Sequence, residues 1–178
     1  MNILGEKVLL RAIEERDRDM FLELINDPDI ERMIGGKSFP VSLIEQEEWI
    51  IKQSGSKSDL RCVVVLRDNE KQGLGTIILS NLDYKNGVCQ VHIKMTKSEG
   101  QGKGYGTDAL KTITKYAFNE LRLNCIYADV LSYNSISQHL FEKCGYKKDG
   151  VLRSRVYKNG RYADVFSYSI TKADMNHV

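Results

Sequence analysis

The stretch Gln101-Gly102-Lys103-Gly104-Tyr105-Gly106-Thr107 decides how this chain is read. Immediately before it lies Val88-Cys89-Gln90-Val91-His92-Ile93-Lys94-Met95, which has the β-type composition of a strand. After it, Ala109, Leu110, Ile113, Ala117, Phe118 and Leu121 recur every three or four residues and share one helix face. Strand, glycine loop and helix start therefore follow one another without a gap. At such a junction the first-turn N–H groups lack intrahelical partners and the helix dipole adds partial positive charge, so the place suits an anion. The alternate glycines also suit a plain tight turn.

Two phosphate loops are tested by spelling. A Walker loop needs a hydroxyl residue after its lysine, and Gly104 follows Lys103. The dinucleotide fingerprint needs glycine where Tyr105 or Thr107 stands. Both fail. What fits is Q/R-x-x-G-x-G/A, read as Gln101, Gly104 and Gly106, and it resembles the acetyl-CoA pyrophosphate loop of the Gcn5-related N-acetyltransferase (GNAT) family.

The rest of the chain sets bounds on this reading. At 178 residues the simplest organisation is one domain over residues 1–178, long enough to bury about 70% of the surface of the unfolded chain. Hydrophobic residues at 42% and charged residues at 28% describe a globular protein, and a formal charge of +2 is too near neutral to imply a nucleic-acid partner. The N-terminus lacks the apolar core of a signal peptide and no run approaches membrane-spanning length, so a cytoplasmic location without a membrane partner is expected. Cys62, Cys89, Cys125 and Cys144 show no C-x-x-C pairing and read as reduced structural thiols rather than a metal site.

In chain order the patterns predict a strand over 7–13, with Val8 and Leu10 on one face and Leu9 on the other, and a helix over 15–25. Asp27-Pro28 reads as N-cap and first residue of a short helix, and Ser42-x-x-Glu45 as a capping box opening another through Trp49 and Ile50. Strands over 61–66, 73–80 and 88–95 form an antiparallel meander through the turns at 68–72 and 85–87. The strand 125–131, reached through a helix, lies parallel to 88–95. A helix carrying Ile136, Leu140 and Cys144 stops at Gly145. Strands over 146–153 and 155–158 then turn at Asn159-Gly160 into 163–170, and residues 171–178 fray. The expected class is α/β (α+β): a mixed, mostly antiparallel twisted sheet with flanking helices.

This order looks like the GNAT fold over nearly the whole chain. Asn134-x-x-Ser137, Phe141-Glu142-Lys143-Cys144-Gly145-Tyr146, Gly150-Val151-Leu152-Arg153 and Asn159-Gly160-Arg161-Tyr162-x-Asp164 resemble the branch of ribosomal-protein N-terminal and spermidine acetyltransferases. Asn26-Asp27-Pro28, Pro40-x-Ser42 and Trp49 resemble amino-sugar acetyltransferases of the same branch.

The resemblance implies an acetyl-CoA-dependent N-acetyltransferase in which an amine attacks the thioester directly in a ternary complex. It implies no metal, and it leaves room for a homodimer. Adjacent parallel strands splay in the family, and the gap admits the pantetheine arm as another strand. Carried over, Met95 and Thr96 supply a main-chain N–H toward the thioester oxygen. Gln101, Gly102, Lys103, Gly104, Tyr105, Gly106 and Thr107 hold the pyrophosphate, and Lys143 reaches a CoA phosphate. Asn134 matches the residue that contacts the cofactor arm or an ordered water, and is equally a good N-cap. Ser137 matches the serine that steadies the CoA sulfur.

One position departs from the family. Phe141 stands where many members carry a tyrosine as general acid; Ser137 or Tyr146 could replace it, or the thiolate could leave without an acid. His92 is the candidate base, with His139 on the helix after Asn134 a second histidine, and either is also readable as a non-catalytic residue. Glu45, Glu47, Glu48, Asp83 and Asp129 could attract a cationic amine or simply form solvated faces. The acceptor is a protein N-terminus, a polyamine or an amino sugar. A non-catalytic acyl-CoA binding or sensing module and a nucleotide-binding protein stand as the rival readings.

Overall fold

The computed structural model describes residues 1–36, 39–53, 58–97 and 101–175. Eight strands form one sheet in the order β1-β2-β3-β4-β5-β6-β8-β7. They are β1 (Ile3–Leu4), β2 (Val8–Arg11), β3 (Leu60–Leu66), β4 (Asn69–Asp83), β5 (Val88–Met95), β6 (Cys125–Leu131), β7 (Lys147–Lys158) and β8 (Arg161–Thr171). Every pairing is antiparallel except β5 with β6, so the mixed sheet expected from the pattern is what forms.

The period-2 alternation divides the core into two layers. Val8, Leu10, Val64, Ile77, Leu79, Cys89 and Val91 face α4 (Tyr105–Asn119) and α5 (Ser135–Lys143). Leu9, Val63 and Val65 face the other way and pack with Phe21 of α1 (Arg18–Asn26) and Ile50 of α3 (Leu43–Gln53). Between these helices, α2 (Pro28–Arg32) is capped by Asp27, whose Oδ1 accepts from the N–H groups of Asp29 and Ile30. The Ser42/Glu45 capping box also forms, with Ser42 N–H on Glu45 Oε2 at 2.9 Å and Glu45 N–H on Ser42 Oγ at 3.2 Å.

Several boundaries differ from expectation, each for a local reason. The first strand is shorter, and the pair β1–β2 precedes a single 3-10 turn at Glu15–Asp17. The polar turn 68–72 contracts to residues 67–68, because β4 starts at Asn69 and absorbs the extra residues as a bulge opposite Val64 to Leu66. The two strands read over 146–158 are one, β7, with a bulge at Ser154 whose φ is 51°. Asn159 and Gly160 both take positive φ, as a type I′ turn requires. Ile136 points outward at 71% exposure, and α5 buries Phe141 with Cys144 instead. Residues 172–175 form one helical turn, α6 (Lys172–Met175), tied down by Lys147 to Asp174, while 176–178 of the expected frayed tail lie outside the described residues. No helix among the described residues is long and apolar enough to cross a membrane.

Candidate active site

Among the described residues the sheet opens between β5 and β6. β5 and β6 pair only through Val88, Cys89 and Gln90 with Cys125, Ile126 and Tyr127, and beyond that the strands part. Thr96 N–H donates to Leu74 O at 2.9 Å, so by antiparallel alternation Lys94 also faces β4. The main-chain groups of Ile93 and Met95 therefore point at the side that β6 has left. A cavity of about 600 Å³ fills the opening, walled by Ile93, Val130, Leu131, Ser137 and Phe141 and roofed by Met33 to Gly36.

The glycine loop closes one end of this gap. Gly104 is the N-cap of α4 with φ 82°, and no side chain caps the helix. The first intrahelical bond recorded there is from Asp108 N–H to Gly104 O, which leaves the N–H groups of Tyr105, Gly106 and Thr107 directed outward. Gly102 shares the left-handed conformation at φ 77°. Gln101 ties the loop to the strand, its Nε2 donating to Met95 O at 3.3 Å. Lys143 shares a third cavity, beside α4, with Gly104 and Thr107.

Thr96 requires a correction. Its N–H and its Oγ1, the latter at 3.1 Å, both donate to Leu74 O, and the residue is buried. Of the expected pair, Met95 alone turns a main-chain N–H toward the opening.

Asn134 lies on the cavity wall with both ends engaged. Its Oδ1 accepts from Ser137 N–H at 3.0 Å as the N-cap of α5, and its Nδ2 donates to Met33 O at 2.9 Å. The capping role is therefore present, and it also pins the roof loop. Ser137 faces the same cavity, and its hydroxyl makes no hydrogen bond among the described residues. Phe141 is buried against Tyr146, ring centroids 5.1 Å apart. Tyr146 cannot replace the missing acid: its hydroxyl bonds Thr114 Oγ1 at 2.8 Å within the core, and burial pushes its pKa well up.

His92 stands where the first cavity meets a second of about 510 Å³, between the sheet and α1/α3. Ser80 Oγ lies 2.8 Å from its Nε2 and orients the ring, while Nδ1 has no partner among the described residues. Packing of protein around the ring, then the charges of Lys94 and Arg61, lower its pKa below the ordinary 6.5. His92 is accordingly neutral near pH 7. His139 instead sits on the outer side of α5, Nδ1 2.7 Å from Ser135 O, and lines none of these cavities.

The acidic candidates separate. Glu45 and Glu48 line the second cavity and Asp129 the first, where Asp129 accepts from Gln90 at 3.2 Å. Glu47 pairs with Arg18 at 2.9 Å, and Asp83 holds the turn through Asn86. Among the described residues no group of three or more His, Cys, Asp and Glu is arranged to hold a metal ion.

Sequence reasoning missed four contributors: the Met33 to Gly36 loop, Arg61, Lys94 and Asp108. Lys94 was findable, since it lies two residues from His92 on a strand and so shares its face. Arg61 reaches the site only through the pairing of Arg61 with Ile78 and of Ile78 with His92.

A family profile described as "Acetyltransferase (GNAT) domain" matches residues 7–147. The chain belongs to the GNAT acetyltransferase family. It is 30% identical over 175 residues to the SPbeta prophage-derived uncharacterized N-acetyltransferase YokL of Bacillus subtilis, covering 97% of this chain and 96% of that one. It is 30% identical over 162 residues to the spermidine N(1)-acetyltransferase of Vibrio cholerae, covering 91% of each. A crystal structure of spermidine N-acetyltransferase from Vibrio cholerae in complex with CoA and spermine superposes with a TM-score of 0.86 at 28% identity, over 96% of this chain and 98% of that one. The GNAT chain described here is thus an N-acetyltransferase acting on an amine, and GNAT enzymes use acetyl-CoA. Neither the nucleotide-binding reading nor the non-catalytic one is favoured by these similarities.

Proposed function

We propose that this GNAT enzyme transfers the acetyl group of acetyl-CoA to a primary amine by direct attack in a ternary complex. The observation that carries the reading is the unpaired edge of β5. Ile93 and Met95 offer main-chain groups along a gap that ends in the outward amides of Tyr105 to Thr107 and borders His92. An extended arm bearing amide groups fits such an edge as a further strand would, and a diphosphate fits the helix start.

The residues divide the chemistry. Neutral His92 accepts the proton lost by the attacking amine. Met95 N–H donates to the oxygen that gains negative charge as the tetrahedral adduct forms. When the C–S bond breaks, the electron pair leaves on sulfur, and the Ser137 hydroxyl donates a hydrogen bond to it. The thiolate takes a proton from protonated His92 or from water, so the products are the N-acetylated amine and the free thiol. Burial pushes the Cys89 thiol up to about 12 and that of Cys144 up to about 11, so neither supplies a thiolate for an acyl-enzyme route.

The deciding assay is release of CoA thiol on presenting amines with acetyl-CoA, paired with radiolabelled acetyl-CoA and denaturation. Turnover without covalent label on the protein is expected; a stoichiometric label on cysteine would overturn direct attack. A polyamine, a protein N-terminus and an amino sugar all present the same nucleophile. They differ in the charge they carry away from it.

A further inference from the structure

The floor of the second cavity contains two cationic side chains that are incompletely matched among the described residues, Arg61 and Lys94. Arg61 on β3 gives Nη2 to Asp59 at 2.6 Å and lies over Trp49, its Cζ 5.8 Å from the ring centroid. Its Nε is buried with no hydrogen-bond partner among the described residues. Lys94 on β5 makes no ion pair or hydrogen bond among the described residues although it is half-buried. Both side chains line the cavity, on the sheet face that carries His92, which sits directly across Ile78 from Arg61. A donor left unmatched on folding loses the hydrogen bond it had to water, so the unmatched Arg61 Nε and the unpaired Lys94, together in a pocket beside a reaction centre, point to a missing acceptor.

The distribution of charge agrees. The carboxylates of this cavity, Glu45 and Glu48, belong to exposed positions of α3 at the rim, and Glu45 already takes the Ser42 N–H. The floor beside His92 holds Arg61, paired with Asp59, and the unpaired Lys94, which leaves it a net positive charge. A polycation entering it would meet Arg61 and Lys94 at close range. An amine whose other end is anionic would satisfy them, leaving its nitrogen free to approach His92.

We infer that the Arg61–Lys94 floor is the anion subsite of the acceptor pocket, so that the amine acetylated here carries a carboxylate or phosphate group. This rests on the acetyltransferase reading, and it names the substrate class of the same site. Trp49 is the single tryptophan of the chain and borders the subsite, so its fluorescence reports occupancy without turnover.

The test uses the full chain with acetyl-CoA and matched amines: β-alanine against its amide, glucosamine phosphate against glucosamine, and spermidine. The anionic member of at least one pair is expected to exceed its neutral partner about tenfold or more in kcat/KM, the scale of one charge-assisted hydrogen bond. Which pair shows the preference separates a carboxylate from a phosphate. Lys94→Gln should collapse that ratio through KM, as should Arg61→Gln. If Arg61→Gln unfolds, Lys94→Gln remains decisive, because Lys94 holds no partner among the described residues.

Turnover of spermidine and the neutral amines at or above the anionic ones would overturn the subsite and leave the acetyltransferase intact. If no amine releases thiol, the catalytic reading fails and the Trp49 titration decides separately. A saturable response to β-alanine or glucosamine phosphate, lost in Lys94→Gln, supports the subsite, and a flat response removes it.

Discussion

The carboxylate of Asp108 accepts the main-chain N–H of Lys7 at 2.7 Å, joining residues 101 positions apart. The same side chain takes the N–H groups of Val8 at 2.9 Å and Glu6 at 3.2 Å. Asp108 stands in the first turn of α4, where it could neutralise the helix dipole that an anion would use. Its oxygens are turned instead to the N-terminal segment, which leaves the Gly104 end of the helix to a ligand. Replacing it with alanine strands these three amides and is expected to cost about 2–3 kcal/mol. Thermal unfolding should fall by about 5–10 °C, with Asp108→Asn losing less because one oxygen remains. An unchanged melting temperature would refute the clamp.

Gly104 and Gly160 provide a matched pair. Their φ values are 82° and 79°, and neither would bring an added Cβ into a tight contact, the nearest atom to Gly104 being Lys7 Nζ at 3.5 Å. Alanine at either should cost about 1 kcal/mol of backbone strain. At Gly104 alone the substitution should also weaken CoA binding, by about tenfold or more, since relaxing that φ re-aims the amides of Tyr105 to Thr107. Calorimetric titration of CoA into both variants distinguishes the two costs; equal affinities would contradict the loop assignment.

His92→Gln should lower kcat by about 10²-fold or more with little change in CoA affinity. For a general base the active form is the neutral one, so activity is lost as pH falls through its pKa. Because packing first, then Lys94 and Arg61, lower that pKa below 6.5, the acid limb of kcat/KM should lie below the ordinary histidine value. Removing a nearby positive charge with Lys94→Met should move the limb toward higher pH. A limb that stays in place would take the proton transfer away from His92.

Asn134 and Ser137 should separate into a structural and a chemical effect. Asn134→Ala deletes the cap of α5 and frees the Met33 carbonyl, and is expected to lower stability by about 2 kcal/mol. Ser137→Ala removes a hydroxyl that supports nothing else among the described residues. It should lower kcat while leaving both the melting temperature and CoA affinity near those of the unmodified chain. Loss of stability with full turnover in Ser137→Ala would reverse its role.

Particular residues show how far the linear pattern reaches. Val88–Met95 and Cys125–Leu131 were legible to the residue, because alternation over buried strands leaves a period of two in the chain itself. The caps at Asp27 and Ser42 and the Asn159-Gly160 turn were equally legible, since each depends on interactions within four residues. The glycine loop announced an anion site in the same local way.

Other features have no local signature. Thr96 was expected to share the thioester site with Met95, yet the direction of its N–H depends on the pairing register with Leu74, far away in sequence. Ile136 was grouped with Leu140 and Cys144 on its helix, yet it points outward, because helical spacing cannot say which apolar arc of α5 meets the sheet. Tyr146 lost its catalytic candidacy to Thr114 of α4, far away in sequence.

From its residues alone, this chain determined the element order, the caps and turns, and the glycine loop that marks the family. The divergence of β5 from β6, the face on which His92, Lys94 and Arg61 meet, and the unmatched Nε of Arg61 against Trp49 were decided only in three dimensions. The physical reason is range: propensity and capping act between neighbours along the backbone, whereas a site's charge and shape come from strands placed side by side by burial of the whole sheet.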